Sequence, residues 1–201
     1  MSDPVADAAD AALGGELVVL PTDTVYGIGT RPDDPAATAR LFEAKGRPRE
    51  LELPVLVPDV AAARAIAGLG GSAEALARRF WPGPLTLVLA RTEASIGWDL
   101  GGDPATIGVR MPRHPMALAV LARTGPLAVT SANRSGLVTP ATCDELEAVF
   151  GDRVAVYLCQ EAPLAGAPST VAAFLGGELR VLREGSLPLR TLAAALAGDA
   201  G

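Results

Sequence analysis

Short apolar runs alternate with alanine-rich amphipathic stretches along most of the chain, the pattern of strands packed against helices. The spacing predicts a first helix over residues 5–13, ended by Gly14-Gly15, and then a buried strand over 17–20 that runs into Pro21. A polar turn, Thr22-Asp23-Thr24, leads into an apolar segment over 25–29. The helix that follows covers 35–44, with Asp34 as its N-cap and Pro35 at its first position, and delivers Lys45 at its C-terminal end. Strands are predicted over 54–57, 85–90, 106–110 and 127–130, and helices over 59–67, 72–80 and 115–123. Trp81-Pro82-Gly83-Pro84 stops the chain between two of them. Apolar segments at 154–158, 170–175 and 179–183 continue the sheet, and a helix over about 188–197 closes it. The pattern is that of an α/β or α+β fold. With no internal repeat and no low-complexity linker, residues 1–201 read as a single domain.

A hydrophobic content of 49% in 201 residues is enough for a proper core. No apolar run approaches the roughly 18 residues that a membrane helix needs, and Met1-Ser2-Asp3-Pro4 is acidic where a signal peptide is basic. The expectation is therefore no membrane and a cytoplasmic protein. In a reducing compartment Cys143 and Cys159, whose spacing fits no metal site, are expected to remain thiols and to act as small buried apolar residues. A formal charge of -6 argues against a protein whose main task is gripping a polyanion. Any anionic ligand must be met locally. Sixteen of the seventeen basic residues are Arg, and Lys45 is the one Lys.

Familiar nucleotide motifs are missing: there is no GxxxxGK[ST], and Gly27-Ile28-Gly29 lacks the third glycine of a dinucleotide fold. There is no serine-hydrolase elbow, and the single histidine, His114, reads as an exposed residue before a helix. Four polar segments remain, each placed where an apolar element stops, as ligand sites of open sheets are. Pro21-Thr22-Asp23-Thr24-Val25-Tyr26-Gly27 crowds two hydroxyls, a carboxylate and a phenol, although Thr and Asp also serve turns. Lys45-Gly46-Arg47-Pro48-Arg49 offers a planar fork and a mobile point charge for phosphate, or else cations and a glycine cap placed by a helix dipole. Residues 127–136, which carry Thr130-Ser131-Ala132-Asn133, are either small phosphate-holding groups or a turn cluster. The last is Pro168-Ser169-Thr170 with Leu182-Arg183-Glu184-Gly185, a hydroxyl pair and a lone Arg beside strands.

Taken in order, these segments resemble the YrdC-like family of threonylcarbamoyl-AMP synthases over about 15–185. The resemblance also rests on Trp-Pro-Gly-Pro-Leu-Thr (81–86) and Val-Arg-Met-Pro (109–112), and on the paired signature Lys45-x-Arg47 with Ser131-x-Asn133. It implies an α/β fold with a twisted, largely parallel mixed sheet flanked by helices around a large concave, positively lined cavity. It implies an enzyme that joins L-threonine, bicarbonate and ATP into threonylcarbamoyl-adenylate with release of pyrophosphate. That product feeds modification of adenosine 37 in tRNA through downstream threonylcarbamoyl-transfer proteins, with at most weak contact to tRNA or other RNA.

By the same resemblance, Lys45 and Arg47 act in catalysis. Together with Thr130, Ser131, Asn133 and Arg183 they hold ATP. Thr24, Arg110 and Ser169 hold threonine, Arg110 by pairing with its carboxylate, and Tyr26 walls that pocket. Mg2+ comes with ATP through phosphate oxygens and needs no dedicated protein site. Three departures stand out: the segment Arg49-Glu50-Leu51-Glu52-Leu53 reads as an insertion, Pro58 stands where some members have a threonine-contacting histidine, and a single-domain form, without the second domain of longer members, is expected. The alternatives are a paralogue with another carbamoyl or adenylate substrate, and an RNA-binding or ribosome-assembly module. Aromatic content of 4% speaks against the latter.

Overall fold

A computed structural model describes residues 3–175 and 178–198. Met1 and Ser2 of the acidic N-terminal stretch lie outside them. The elements follow in the order α1 (Pro4–Leu13), β1 (Val18–Leu20), β2 (Gly27–Thr30), α2 (Pro35–Lys45), β3 (Val55–Leu56), α3 (Val60–Ile66), α4 (Gly71–Phe80), β4 (Leu85–Ala90) and β5 (Thr106–Arg110). Then come α5 (Pro115–Thr124), β6 (Leu127–Ser131), α6 (Cys143–Phe150), β7 (Val156–Tyr157), β8 (Thr170–Leu175), β9 (Glu178–Arg183) and α7 (Leu189–Gly198). Asp34 caps α2 by accepting from Ala36 N, and Gly46 ends it in the left-handed region at φ 58°, both where the sequence places them. The helix α6 goes beyond the predicted elements. Its signal is a capping box, in which Thr142 accepts from Glu145 N while the Glu145 carboxylate accepts from Thr142 N.

Among the described residues nine strands form one sheet in the order β7-β1-β2-β6-β3-β5-β4-β8-β9. Three pairings are parallel (β1/β7, β3/β5, β4/β8) and five are antiparallel, so the α/β class and the mixed sheet stand while its parallel share is smaller than expected. The reason is connectivity: β1/β2, β4/β5 and β8/β9 are sequence neighbours joined without the crossover that a parallel pair requires.

Helices cover both faces. Alternation along the strands decides which side chain goes where. Val18, Leu20, Leu127 and Val129 pack with α1 (Ala8, Ala9, Ala12) and α5 (Ala117, Val120, Leu121) on one face. Val19, Ile28, Ala128, Leu85, Leu87, Ile107 and Val109 pack on the other face with buried residues of α2, α3, α4, α6 and α7. On the first face α1 and α5 cover the β7-β1-β2-β6 half of the sheet. The remaining half bounds a cavity: Thr86 and Val88 of β4, Gly108 and Arg110 of β5 and Val171 of β8 alternate with the core positions and line it.

The cysteine expectation is corrected here. Cys143 and Cys159 are half-buried and joined by a disulfide, S–S 2.05 Å, because the fold sets the start of α6 beside the end of β7. Among the described residues no helix is long and apolar enough to cross a membrane.

Candidate active site

The cavity has a volume of about 400 Å³ and gathers eight of the ten residues singled out from sequence: Thr24, Tyr26, Arg47, Arg110, Thr130, Ser131, Ser169 and Arg183. Lys45 and Asn133 stand behind its wall. A larger depression of about 860 Å³ lies between α4 and α7, lined in part by Arg78, Arg79 and Arg190, but contains none of these ten residues.

One wall is built from the β1–β2 turn and the end of β5. The Thr22 hydroxyl organises the turn, donating to Val25 O at 2.6 Å and accepting from the amides of Thr24 and Val25 at 3.2 and 3.3 Å. This turn occupies Val25 and Tyr26, so β2 begins at Gly27, two residues later than its apolar pattern predicts. Arg110 reaches the turn from β5. Its Nη1 donates to Thr24 Oγ1 at 3.0 Å, its Nη2 to Asp23 Oδ1 at 2.6 Å and its Nε to Gly83 O at 3.0 Å. Burial lowers the Arg110 pKa, opposed chiefly by the Asp23 carboxylate. Asp23, whose side chain is 7% exposed, also accepts from Arg113 N, and its Oδ2 is buried with no hydrogen-bond partner. Five N–H groups on Arg110 meet three acceptors, which leaves donors for a ligand. Tyr26 is fully buried, and its hydroxyl accepts from Gln160 N at 3.1 Å.

The opposite wall joins the end of α2 to the turn after β6. Lys45 is 1% exposed. Its Nζ donates to Ser131 O, to Asn133 O at 2.6 Å and to Asn133 Oδ1 at 3.5 Å. Ser131 Oγ donates to Asn133 Oδ1 at 2.6 Å, and Asn133 Nδ2 donates to Arg134 O and Leu137 O. Lys45 is therefore no mobile point charge, as its residue type suggested. Helix α2 ends with the side chain directed into the β6 turn, where three oxygens hold it. Burial, and next the charge of Arg47, bring its pKa down to about 7 against those oxygens. Arg47 lines the cavity, with Nε donating to Leu51 O at 3.0 Å and Nη2 to Glu52 O at 2.8 Å. Its pKa is lowered by burial and then by Arg183. Arg183, from β9, donates to Ser169 O at 2.9 Å and Ser169 Oγ at 3.2 Å, and Ser169 Oγ shares a hydrogen bond of 2.9 Å with Thr86.

The segment over 49–53 forms part of this second wall, with Glu50, Leu51 and Glu52 lining the cavity. It rests on the loop after β4. Leu53 N donates to Leu100 O and Gly102 N to Arg49 O, and Arg49 pairs with Asp99 while stacking 4.7 Å over Phe42. Gly101 and Gly102, at φ 70° and 61°, approach Arg49 O and the Glu52 Cβ so closely that no side chain fits at either position. Burial raises the Glu52 carboxyl to about 7, opposed by Arg91, whose Nη2 lies 3.6 Å away.

Sequence reasoning missed Thr86 and Leu56, and it flagged Thr22 and Asp23 within a polar segment without giving either a role. Alternation along β4, with core at 85, 87 and 89, would have found Thr86. It would also have placed Leu56 on the cavity side, since Val55 and Val57 face the core and Leu56 faces the other way; Pro58, beyond the end of β3, does not line the cavity. His114 is half-buried rather than exposed, directly before α5, with Nε2 3.1 Å from Gln160 Oε1. Among the described residues no group of three His, Cys, Asp or Glu side chains is placed to hold a metal.

The Sua5/YciO/YrdC family model, described as "Telomere recombination", matches residues 10–185. A Mycobacterium tuberculosis (strain ATCC 25618 / H37Rv) protein named "Putative threonylcarbamoyl-AMP synthase" is 41% identical over 197 residues, which span 98% of this chain and 90% of that protein. The threonylcarbamoyl-AMP synthase of Pyrococcus abyssi is 37% identical over 180 residues, 89% of this chain and 53% of that one. The crystal structure of P. abyssi Sua5 complexed with L-threonine superposes with a TM-score of 0.86 at 33% identity, covering 97% of this chain and 58% of that chain. The present chain thus spans little more than half the length of the Pyrococcus protein. E. coli YciO, with a TM-score of 0.85 at 24% identity, shares the fold.

Proposed function

This chain belongs to the Sua5/YciO/YrdC family, and from that premise we propose that it is a threonylcarbamoyl-AMP synthase, acting as one domain in the cytoplasm and supplying tRNA threonylcarbamoylation. The observation that carries the reading is the charge of the two walls. Arg47 and Arg183 line the cavity and have no carboxylate partner among the described ion pairs, so they keep their positive charge for a polyanion. On the other wall Arg110 is neutralised by Asp23 yet keeps spare donors, which suits a zwitterionic amino acid. ATP and L-threonine fit this division.

The reaction needs positioning and charge stabilisation more than a strong base. The threonine amine attacks CO2 or bicarbonate to form a carbamate, and a carbamate oxygen then attacks the α-phosphorus in line, expelling pyrophosphate. Arg47 and Arg183 face the phosphates, with Ser131 and Thr130 as hydroxyl donors. Lys45 and Asn133 fix the turn that presents them. Thr24, Arg110 and Ser169 orient threonine beside Tyr26. Mg2+ would ride on the phosphate oxygens and water, neutralising charge there, with the carboxylate of Glu50 on the same wall.

The test is pyrophosphate release by purified protein with ATP, Mg2+, bicarbonate and threonine. Bicarbonate-dependent turnover with preference for threonine over other amino acids is the expected result, and a folded protein without it overturns the assignment.

A further inference from the structure

Nothing in the proposed reaction uses the disulfide. Cys143 opens α6, and Cys159 stands two residues beyond β7, the edge strand of the sheet. Both residues are half-buried, so neither is sealed in the core. The edge is lightly held, since β7 contributes two residues, paired with Val18 and Val19. From it a strap over 159–168 runs to Ser169 at the cavity. The disulfide ties the strap to Cys143, and Leu164 N donates to Ala141 O at 2.8 Å, so both ties end on the same short segment. Gln160 lies between them. Its backbone N donates to Tyr26 Oη at 3.1 Å. Tyr26 lines the cavity, and its carbonyl accepts from Ala132 N at 2.8 Å, within the Ser131-Ala132-Asn133 turn. Direct contacts thus connect the disulfide to both the cavity wall and the turn held by Lys45.

We propose that the Cys143–Cys159 bond is an exchangeable redox latch: oxidised, it fixes the strap and Tyr26, and thiol–disulfide exchange with a low-molecular-weight cellular thiol releases them and weakens binding in the cavity. A disulfide in a reducing compartment is ordinarily of this transient kind. The inference rests on the proposed function for what the cavity binds and for the reducing compartment. In the exchange a thiolate attacks one sulfur, the protein S–S bond breaks as a new one forms, and the other cysteine leaves as a thiolate that takes up a proton. A second thiol attacks the mixed disulfide, giving two protein thiols and one small disulfide. Two electrons pass from two thiols to the protein, and the step balances.

The test takes the full chain through glutathione buffers of graded ratio. Free thiols are counted by alkylation and mass spectrometry, ATP and threonine Kd are measured by calorimetry, and amide exchange is followed by segment. Reduction should expose two thiols in one transition, raise the threonine Kd about three- to tenfold, and speed exchange over 158–168 and 24–28 but not in β4. The double variant Cys143→Ser/Cys159→Ser should match the reduced protein in every buffer. Reversal of all readings on reoxidation of the unaltered chain covers a variant that fails to fold. A folded protein whose disulfide glutathione neither opens nor re-forms, or equal Kd and exchange in both forms, overturns the proposal. Redox-dependent exchange at 24–28 with no ATP or threonine binding in either form overturns the proposed function instead, and leaves the redox coupling of the strap standing.

Discussion

Two buried cations support opposite walls of the cavity, Arg110 lining it and Lys45 behind it, and they are satisfied in opposite ways. Arg110 is held by a carboxylate, so its wall is electrically closed. Lys45 is held by carbonyl and amide oxygens, so its positive charge is solvated by dipoles but not cancelled. Arg47, half-buried, and Arg183, exposed, stand near enough for Arg183 to lower the pKa of Arg47, and Arg183 lowers that of Arg110 as well. The difference teaches that burial depth does not decide which wall takes an anion. What decides it is whether the supporting partner carries charge.

The comparison breaks most directly at Asp23. Removing one member of a buried ion pair strands the other, so Asp23→Ala should cost about 3–5 kcal/mol in urea unfolding and raise the KM for threonine far more than that for ATP. If ATP suffers equally, the two walls are not electrically separate. Next comes Arg47→Ala, expected to lower kcat/KM for ATP about a hundredfold, as removal of one charge-stabilising donor does, while threonine binding measured without nucleotide stays within about twofold.

Glu52 probes the cationic wall from within. Its carboxyl is raised from 4.5 to about 7, so the folded state binds the extra proton between those values. The resulting stability is full below pH 4.5 and lost as pH rises through about 7. Glu52→Gln should flatten that slope, a difference of about 2 kcal/mol read from unfolding curves at pH 4.5 and 8. An unchanged slope would mean that Glu52 titrates as an exposed acid. The smallest effect is that of salt: going from 0.05 to 0.5 M should weaken ATP about threefold and leave threonine unchanged, because screening acts on the uncancelled wall.

Much of this was legible from local chemistry. Asp34, Pro35 and Gly46 bound α2 as their backbone preferences dictate, and the order of the polar segments located eight cavity residues. The rest depends on tertiary placement. Nothing local shows that Lys45 points into a turn 86 residues away. Asp23 looks like any turn carboxylate until β5 brings Arg110 beside it. The cysteines, 16 residues apart, meet only because β7 pairs with β1 and carries Cys159 back to the start of α6. Alternation was read too coarsely in β3 and β4, where following it residue by residue would have added Leu56 and Thr86.

Gly101 and Gly102 have a consequence for how this enzyme can be altered. They are the footing on which the segment from Arg49 to Glu52 stands, far from it along the chain, and neither lines the cavity. An alanine at either position adds one methyl group, yet it must lift that segment and with it the carbonyls that aim Arg47. Anyone reshaping the cavity through residues 49–53 inherits a constraint in a distant loop, and the two segments must be redesigned as one unit.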